Sequence, residues 1–197
     1  MALYCQCLNI MSTIIDNYSF SNQNAVTAIS TNDAQNGIGT SFSVTTSDTL
    51  DRVIFNCSRD LLAVGNAYAK IYELTGTIGT NALPTGSAIA TSNIVNVTNI
   101  PVSPTYAQTV FMFSNSEKIV LQDNHNYFLT IECTISSGNN KSLLVGIDTN
   151  TGNVGQNAAY LNSSFVWKDA SSFDIPFVVY GTLGGYANAN FLKLFTN

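Results

Sequence analysis

Residues 129–135 read Leu-Thr-Ile-Glu-Cys-Thr-Ile, and this stretch decides the fold class. Its apolar residues occupy every second position, which is the period of a β-strand with one buried face. A second stretch, 53–57, reads Val-Ile-Phe-Asn-Cys and has the same period. Its isoleucine at the second position indicates that both faces of that strand are partly covered. Both stretches predict strands rather than helices.

Short β-prone runs recur outward from these two stretches along the whole chain. They are Gly37–Val44, Ala67–Leu74, Ile89–Val97, Val110–Phe113, Leu143–Ile147 and Phe177–Tyr180. Turn-forming stretches such as Ser137–Asn140 and Thr151–Asn153 separate them. About eight to ten strands with turns between them predict an all-β fold, an antiparallel β-sandwich that is jelly-roll-like and carries N- and C-terminal extensions.

Composition excludes several classes of function. Hydrophobic residues make up 45% of the chain and charged residues only 10%, against roughly 25% charged in ordinary soluble domains. The net charge is −5, and the seven Lys and Arg residues are scattered. A nucleic-acid partner requires a basic face, and so does an anionic membrane surface. We therefore expect neither nucleic acid nor membrane as a partner, and a weakly charged surface of this kind suits a protein inside a large assembly.

The four cysteines give no clear site. Cys57 and Cys133 lie within apolar strand patterns, where a free thiol behaves as a small hydrophobic residue. They can also pair across a sandwich, but we expect free buried thiols. Cys5 and Cys7 have no His or second Cys pair close enough in sequence to complete a zinc site.

The two ends differ from the middle, and we predict three regions. Residues 1–20 form an N-terminal arm, residues 21–182 the sandwich and residues 183–197 a C-terminal apolar tail. The first residues lack a basic segment and an unbroken apolar run, so we expect no secretion signal. The tail carries four large apolar residues beyond a Gly184-Gly185 hinge, and we expect these to be assembly contacts: Phe191, Leu192, Leu194 and Phe195.

From Gly37 to Gly181 the order of features resembles the "choice-of-anchor" jelly-roll domains of bacterial surface proteins and phage particles. The segments that carry the resemblance are Ile38–Phe42, Leu50–Phe55, Ala69–Tyr72, Pro84–Ser92, Phe111–Phe113, Val120–Leu121, Tyr127–Leu129, Trp167 and Asp174–Gly181. The resemblance implies a display, adhesion or particle-decoration unit with a fold like that of carbohydrate-binding modules. The expected absence of a secretion signal favours the particle over the cell wall.

The residues available for catalysis lead us to predict neither an enzyme nor a cofactor. Nucleophilic catalysis needs a base beside the nucleophile, and the chain has one histidine, His125. It lies among turn-forming residues, so we interpret it as a solvated turn residue. The sequence contains no Gly-x-Ser-x-Gly motif and no P-loop. A pair of carboxylates stays open, because their proximity depends on the fold.

The sequence offers two candidate binding sites, one for calcium and one for a sugar, and each has a simpler structural interpretation. Asp148, Asn150 and Asn153 place oxygen-bearing side chains as a calcium loop does, although the glycine of this stretch stands one place early. The plainer reading, which we favour, is a turn in which Asp148 and Asn150 bond their own backbone.

A sugar site would need an aromatic platform beside amide or carboxylate groups. The candidates are Trp167 with Asp169, and Tyr160 with Asn157. They share a loop-rich region where a sandwich presents ligand contacts. Against this, a lone Trp in a sandwich is more often core or core edge.

The sequence therefore predicts a structural or decoration protein of a virus particle, of tailed-phage type, that acts through contacts between subunits. Its expected partners are other virion proteins and copies of itself, in particles assembled in the host cytoplasm. The alternative is an extracellular carbohydrate-binding or adhesin module that holds a glycan at the aromatic loop site.

Overall fold

The computed structural model describes residues 12–31, 35–135, 138–150, 158–170 and 172–182. Within these ranges the chain forms fourteen β-strands, three single-turn 3₁₀ helices and no α-helix. The 3₁₀ helices cover Phe20–Asn22, Val97–Asn99 and Asn115–Glu117. Turn-forming residues and branched strand residues alternate along the chain, and this composition does not support a longer helix.

The strands form two sheets. Sheet I contains β1 (Ser12–Tyr18), β2 (Ala25–Ile29), β4 (Asp48–Arg59), β8 (Ala107–Met112), β9 (Val120–Leu121), β11 (Leu143–Ile147) and β14 (Phe177–Thr182). Sheet II contains β3 (Gly37–Val44), β5 (Asn66–Thr75), β6 (Leu83–Thr91), β7 (Val95–Asn96), β10 (His125–Cys133), β12 (Ala158–Leu161) and β13 (Trp167–Asp169).

Every pairing between these strands is antiparallel. Sheet I has the order β1-β14-β4-β11-β2, and β8 and β9 also pair with β4. Sheet II has the order β13-β12-β3-β10-β5-β6, and β7 also pairs with β5. The chain crosses between the sheets at every step from β2 to β5, from β7 to β8, at every step from β9 to β12, and from β13 to β14. The prediction of an all-β, jelly-roll-like antiparallel sandwich is confirmed.

The core lies between the two sheets and follows the alternation that predicted the strands. Leu129 and Ile131 of β10 are fully buried, as are Val53, Phe55 and Cys57 of β4. Successive side chains of a strand point to opposite faces, so the residues between these point outward. Two predicted runs, Gly37–Val44 and Leu143–Ile147, coincide with β3 and β11.

The predicted run Ile89–Val97 differs most from the structure. β6 begins six residues earlier, at Leu83, and passes through Pro84 and Gly86 before it ends at Thr91. Proline has no backbone N–H, and β6 tolerates it because this strand ends the hydrogen-bonded order of sheet II. The turn-forming residues concealed the first half of the strand.

Part of the predicted N-terminal arm belongs to the sandwich. Residues 12–18 form β1, which pairs with β14. Ile15 and Tyr18 pack against the main core, and this burial holds the segment in the sheet. Residues 1–11 and the predicted tail, 183–197, lie outside the described residues.

Cys57 and Cys133 are free and buried, as expected. Burial raises the pKa of the Cys57 thiol to about 12 and that of the Cys133 thiol to about 11. The reactive form of cysteine is the thiolate. Neither thiol is therefore poised for nucleophilic chemistry. Cys5 and Cys7 lie outside the described residues.

Candidate functional site

Sheet II covers its own outer face. Its two edges approach each other, because β13 contacts β6. The outward side chains thereby enclose a second, smaller core in which Tyr72, Ala82, Phe128 and Ala159 are buried. Beside it, the Glu132 carboxylate accepts hydrogen bonds from Lys70 Nζ at 2.6 Å and from Tyr72 Oη at 2.8 Å. Burial, and then the charge of Glu132, raise the pKa of Tyr72.

Trp167 packs at the edge of this second core. Its ring lies edge-on to Tyr72, with 6.2 Å between ring centroids, and tilted against Phe128 at 6.3 Å. Tyr160 packs instead against the main core. The pairing of β12 with β13 sets Tyr160 opposite Lys168, one position away from Trp167. The structure therefore places the two predicted sugar-binding aromatic residues on opposite faces of the strands, with the exposed Asp169 on the Trp167 side.

Two rows of side chains cross the outer face of sheet I. Residues that pair across antiparallel strands share a face. The first row runs across β1, β14, β4 and β8 and consists of Ile14, Tyr180, Arg52 and Met112. The second row crosses the same strands and consists of Asn17, Val178, Ile54 and Val110. We call these residues together the sheet I face.

The sheet I face is apolar and open to solvent. Ile14 is 56% exposed, Val110 42% and Met112 40%. Between these three lie the partly exposed Val178 and Tyr180, the charged Arg52, and Ile54, which is 9% exposed. Scattered exposed apolar residues are ordinary, whereas contiguous apolar patches mark contacts with a partner.

The Asp51 carboxylate beside the sheet I face is paired with two cations. The Arg52 guanidinium lies 4.1 Å from the centroid of the Tyr180 ring and donates from Nη1 to Asp51 Oδ2 at 2.7 Å. Lys118 Nζ donates to the other oxygen of Asp51, also at 2.7 Å. Burial alone would raise the pKa of Asp51, but these two cations lower it overall. The face thus presents no unpaired acid to a partner.

Sequence reasoning missed the sheet I face, although a signal was present. Ile54 was interpreted as evidence that both faces of β4 are partly covered, and in the structure this outward residue is only 9% exposed. In β14, which reads Phe-Val-Val-Tyr from Phe177, the inward-pointing and the outward-pointing residues are both apolar or aromatic. A strand that is apolar on both faces either lies between two layers or presents one face to a partner.

A polar depression adjoins the sheet I face. Asn56 Nδ2 donates to Gln23 Oε1, and the Gln23 side chain lies over Gly146, where any side chain would collide with it. Beyond Gln23, an open depression of about 470 Å³ is lined by Tyr18, Ser21, Asn22, Gln23, Asn24, Asp148 and Asn150. Amides and hydroxyls dominate this lining.

Asp148 is the buried centre of a hydrogen-bond knot below the depression. Its Oδ2 accepts from Tyr18 Oη at 2.5 Å, and its Oδ1 accepts from Asn24 Nδ2 at 2.9 Å. The backbone N–H of Asn150 also donates to Oδ1 at 2.9 Å, which closes an Asx turn. Asn24 Oδ1 in turn accepts from the backbone and the hydroxyl of Thr149, both at 3.0 Å.

This knot bears on the predicted calcium site. The structure contains the Asx turn at Asp148 that was the favoured interpretation of the sequence. Protein donors already bond both oxygens of the Asp148 carboxylate. The described residues contain no group of three or more His, Cys, Asp or Glu side chains suited to a metal ion. Asn153, the third predicted ligand, lies outside the described residues.

The other predicted site residues fall outside the described ranges. They are Asn157, predicted for the sugar site, and the assembly contacts Phe191, Leu192, Leu194 and Phe195. His125 is described: it begins β10, and its Nε2 lies 2.8 Å from Glu73 Oε2 on an exposed surface. Among the described residues, no helix is long and apolar enough to cross a membrane.

Comparison with known proteins gives similarities in structure. No protein-family model matches the sequence, and no curated protein matches it. One similar structure is the clostridial cysteine protease Cwp84 after propeptide cleavage, at 11% identity and a TM-score of 0.49, covering 88% of this chain and 40% of that one.

A second similar structure contains the cysteine protease and lectin-like domains of Cwp84, a surface-layer-associated protein of Clostridium difficile. It is 11% identical, with a TM-score of 0.45, and covers 76% of this chain and 33% of that one. This chain thus spans less than half the length of either structure. The strand pairing identifies the chain at the level of fold, as an antiparallel, jelly-roll-like β-sandwich.

Proposed function

We propose that this chain is a non-enzymatic structural protein that associates with copies of itself through the sheet I face, as a decoration unit of a virus particle. The observation that supports the contact is the largely apolar surface formed by the two residue rows across β1, β14, β4 and β8, with Ile14, Val110 and Met112 exposed. The weakly charged composition and the resemblance to jelly-roll particle domains support the particle.

Two features of the described residues support a function without catalysis. The two described thiols are buried, and their raised pKa values keep them in the unreactive form. His125 is bonded to Glu73, on a surface separate from the sheet I face. Surface contact requires neither group.

Placing two carboxylates on the sheet I face should abolish self-association. The Val110→Glu/Met112→Glu variant would bury unpaired charges in the contact, which costs several kcal/mol and weakens association by at least about 100-fold. Sedimentation velocity over a range of concentrations measures this. The wild type is expected to form oligomers and the variant to stay a monomer.

The matched control carries the same charges elsewhere. Ile89 and Ile94 are also exposed but lie on and just after β6 of sheet II. The Ile89→Glu/Ile94→Glu variant should associate like the wild type. A wild type that stays monomeric at high-micromolar concentration, or equal loss of association in both variants, would contradict the proposed contact.

A glycan-binding module is the second candidate, and the polar depression beside Asp148 favours it. Neutral amides and hydroxyls suit a polyhydroxylated ligand because they both donate and accept hydrogen bonds. Asn22 and Asn150 are exposed at its rim. This site differs from the predicted aromatic one, since Trp167 lies on sheet II. Under this reading the protein would act outside the cell.

Glycan-array screening followed by titration separates the two sugar sites. If the depression binds the glycan, Asn22→Ala/Asn150→Ala should weaken binding by at least about tenfold through lost hydrogen bonds, and Trp167→Ala should leave it unaltered. The opposite pattern would assign the site to the aromatic loop. Absence of binding by the wild type to any glycan of the array would remove this candidate.

A further inference from the structure

The sheet I face requires an occupant in the assembled protein, and its size limits the choice. Adjacent strands lie about 4.8 Å apart, so its four strands span about 14 Å, and the two rows lie about 7 Å apart along each strand. These dimensions fit the side chains of one or two turns of helix, whose overall diameter is about 10–12 Å. A short apolar segment is therefore enough to cover it.

The chain itself contains such a segment. Residues 191–195 read Phe-Leu-Lys-Leu-Phe. Phe191, Leu192, Leu194 and Phe195 stand at positions i, i+1, i+3 and i+4, and these would lie on one side of the segment if it bound as a helical turn. Lys193, the only charged residue of 183–197, would stand on the opposite side, in solvent. The segment would thus meet the face with apolar side chains alone.

The connection to the sandwich allows this segment to reach another copy. The connection begins directly after β14, whose last residue is Thr182. Residues 183–190 read Leu-Gly-Gly-Tyr-Ala-Asn-Ala-Asn. When extended, they span up to about 27 Å. Gly184 and Gly185 permit the change of direction that is needed to leave the edge of the sheet.

We propose that residues 183–197 of one copy bind the sheet I face of a neighbouring copy, with Phe191 and Phe195 against the row that contains Met112. This inference rests on the proposed self-association and names its two surfaces. Each copy would then carry one apolar segment and one apolar face. A contact between two different surfaces can be repeated from copy to copy, so it can build a ring or a larger shell.

Oxidation of Met112 in the full chain tests this contact. Met112 is 40% exposed on the free face, so a covering segment should slow the oxidation of its sulfur by peroxide. Peptide mass spectrometry reads the rate at this one residue, at low-micromolar and at high-micromolar protein concentration. In the wild type, we expect severalfold slower oxidation at high concentration, because mass action fills the face. In Phe191→Ser/Phe195→Ser, the rate should be fast at both concentrations.

Controls separate this inference from the proposed function. Asn188→Ser/Asn190→Ser alters the same segment without removing apolar contacts, and it should behave like the wild type. If Met112 is protected at high concentration in the Phe191→Ser/Phe195→Ser variant as well, self-association through the face stands and the segment is not its occupant. Segment-dependent protection at low concentration in a monomer would mean that the segment binds its own copy, which overturns the proposed exchange. If Met112 is never protected and the wild type is monomeric, both proposals fail.

Discussion

The Asp148→Ala variant is expected to lose about 3–4 kcal/mol of unfolding free energy, since hydrogen bonds to a buried carboxylate contribute about 1.5–3 kcal/mol each and act together. The carboxylate accepts from Tyr18, Asn24 and the backbone of Asn150. Its removal would leave the Tyr18 hydroxyl and the Asn24 amide without this acceptor. Chemical denaturation with urea measures the loss.

A graded variant shows whether the loss comes from the knot. Tyr18→Phe removes a single hydrogen bond to the same carboxylate and should cost about half as much, about 1.5–2 kcal/mol. Equal losses in the two variants, or a loss below about 1 kcal/mol for Asp148→Ala, would contradict the knot as a source of stability.

Calcium binding to Asp148 can be tested with the same variant. If it raises the unfolding midpoint of the wild type but not of Asp148→Ala, the carboxylate is a metal ligand.

The Gly39→Ala variant is expected to lose about 3 kcal/mol, at the upper end of the usual cost of overpacking. A Cβ atom at this position would lie 2.5 Å from the carbonyl oxygen of Leu129 and 2.9 Å from Cε1 of Phe128. The first contact is with backbone of the neighbouring strand, which cannot move without disturbing the pairing of β3 with β10. The second would displace the Phe128 ring, against which Trp167 packs.

Trp167 reports this displacement, because it is the only tryptophan in the chain. We expect Gly39→Ala to shift the tryptophan emission and to lower the unfolding midpoint together. The matched control is Ser43→Ala, an exposed position on the same strand, which should stay within about 0.5 kcal/mol of the wild type. A Gly39→Ala variant with wild-type emission and stability would show that the second core tolerates the extra methyl group.

The strand pattern of the sequence was sufficient for the fold class and for parts of the core. The alternation at 129–133 and 53–57 reports burial on one face directly, so these segments could be assigned without a structure. β1 and the first half of β6 could not. β6 contains a proline and a glycine that normally end strands, and its place at the end of the sheet order is what makes them acceptable.

The candidate sites could be predicted only in part, because their components are distant in sequence. Asp148 bonds to Tyr18 across 130 positions and to Asn24 across 124. The local Asx turn was predictable from Asp148 and Asn150, but nothing local indicates that the carboxylate is buried beneath two other segments. Tyr160 and Trp167 were grouped because they are close in sequence. In the structure, strand alternation places them on opposite faces.

By itself, then, the sequence determined that this chain is built of antiparallel strands, because the period-two pattern is local and each strand's sequence shows which of its residues are buried. The free state of Cys57 and Cys133 was one of two alternatives until the structure separated them. Only the tertiary structure decided which outer face stays open. Sheet II rolls over its outward aromatic residues and covers them, whereas the four strands of sheet I lie side by side with an uncovered apolar surface. The alternating pattern distinguishes the two faces of a strand. What lies against the second face depends on how whole sheets curve, and long-range pairing and packing determine that curvature.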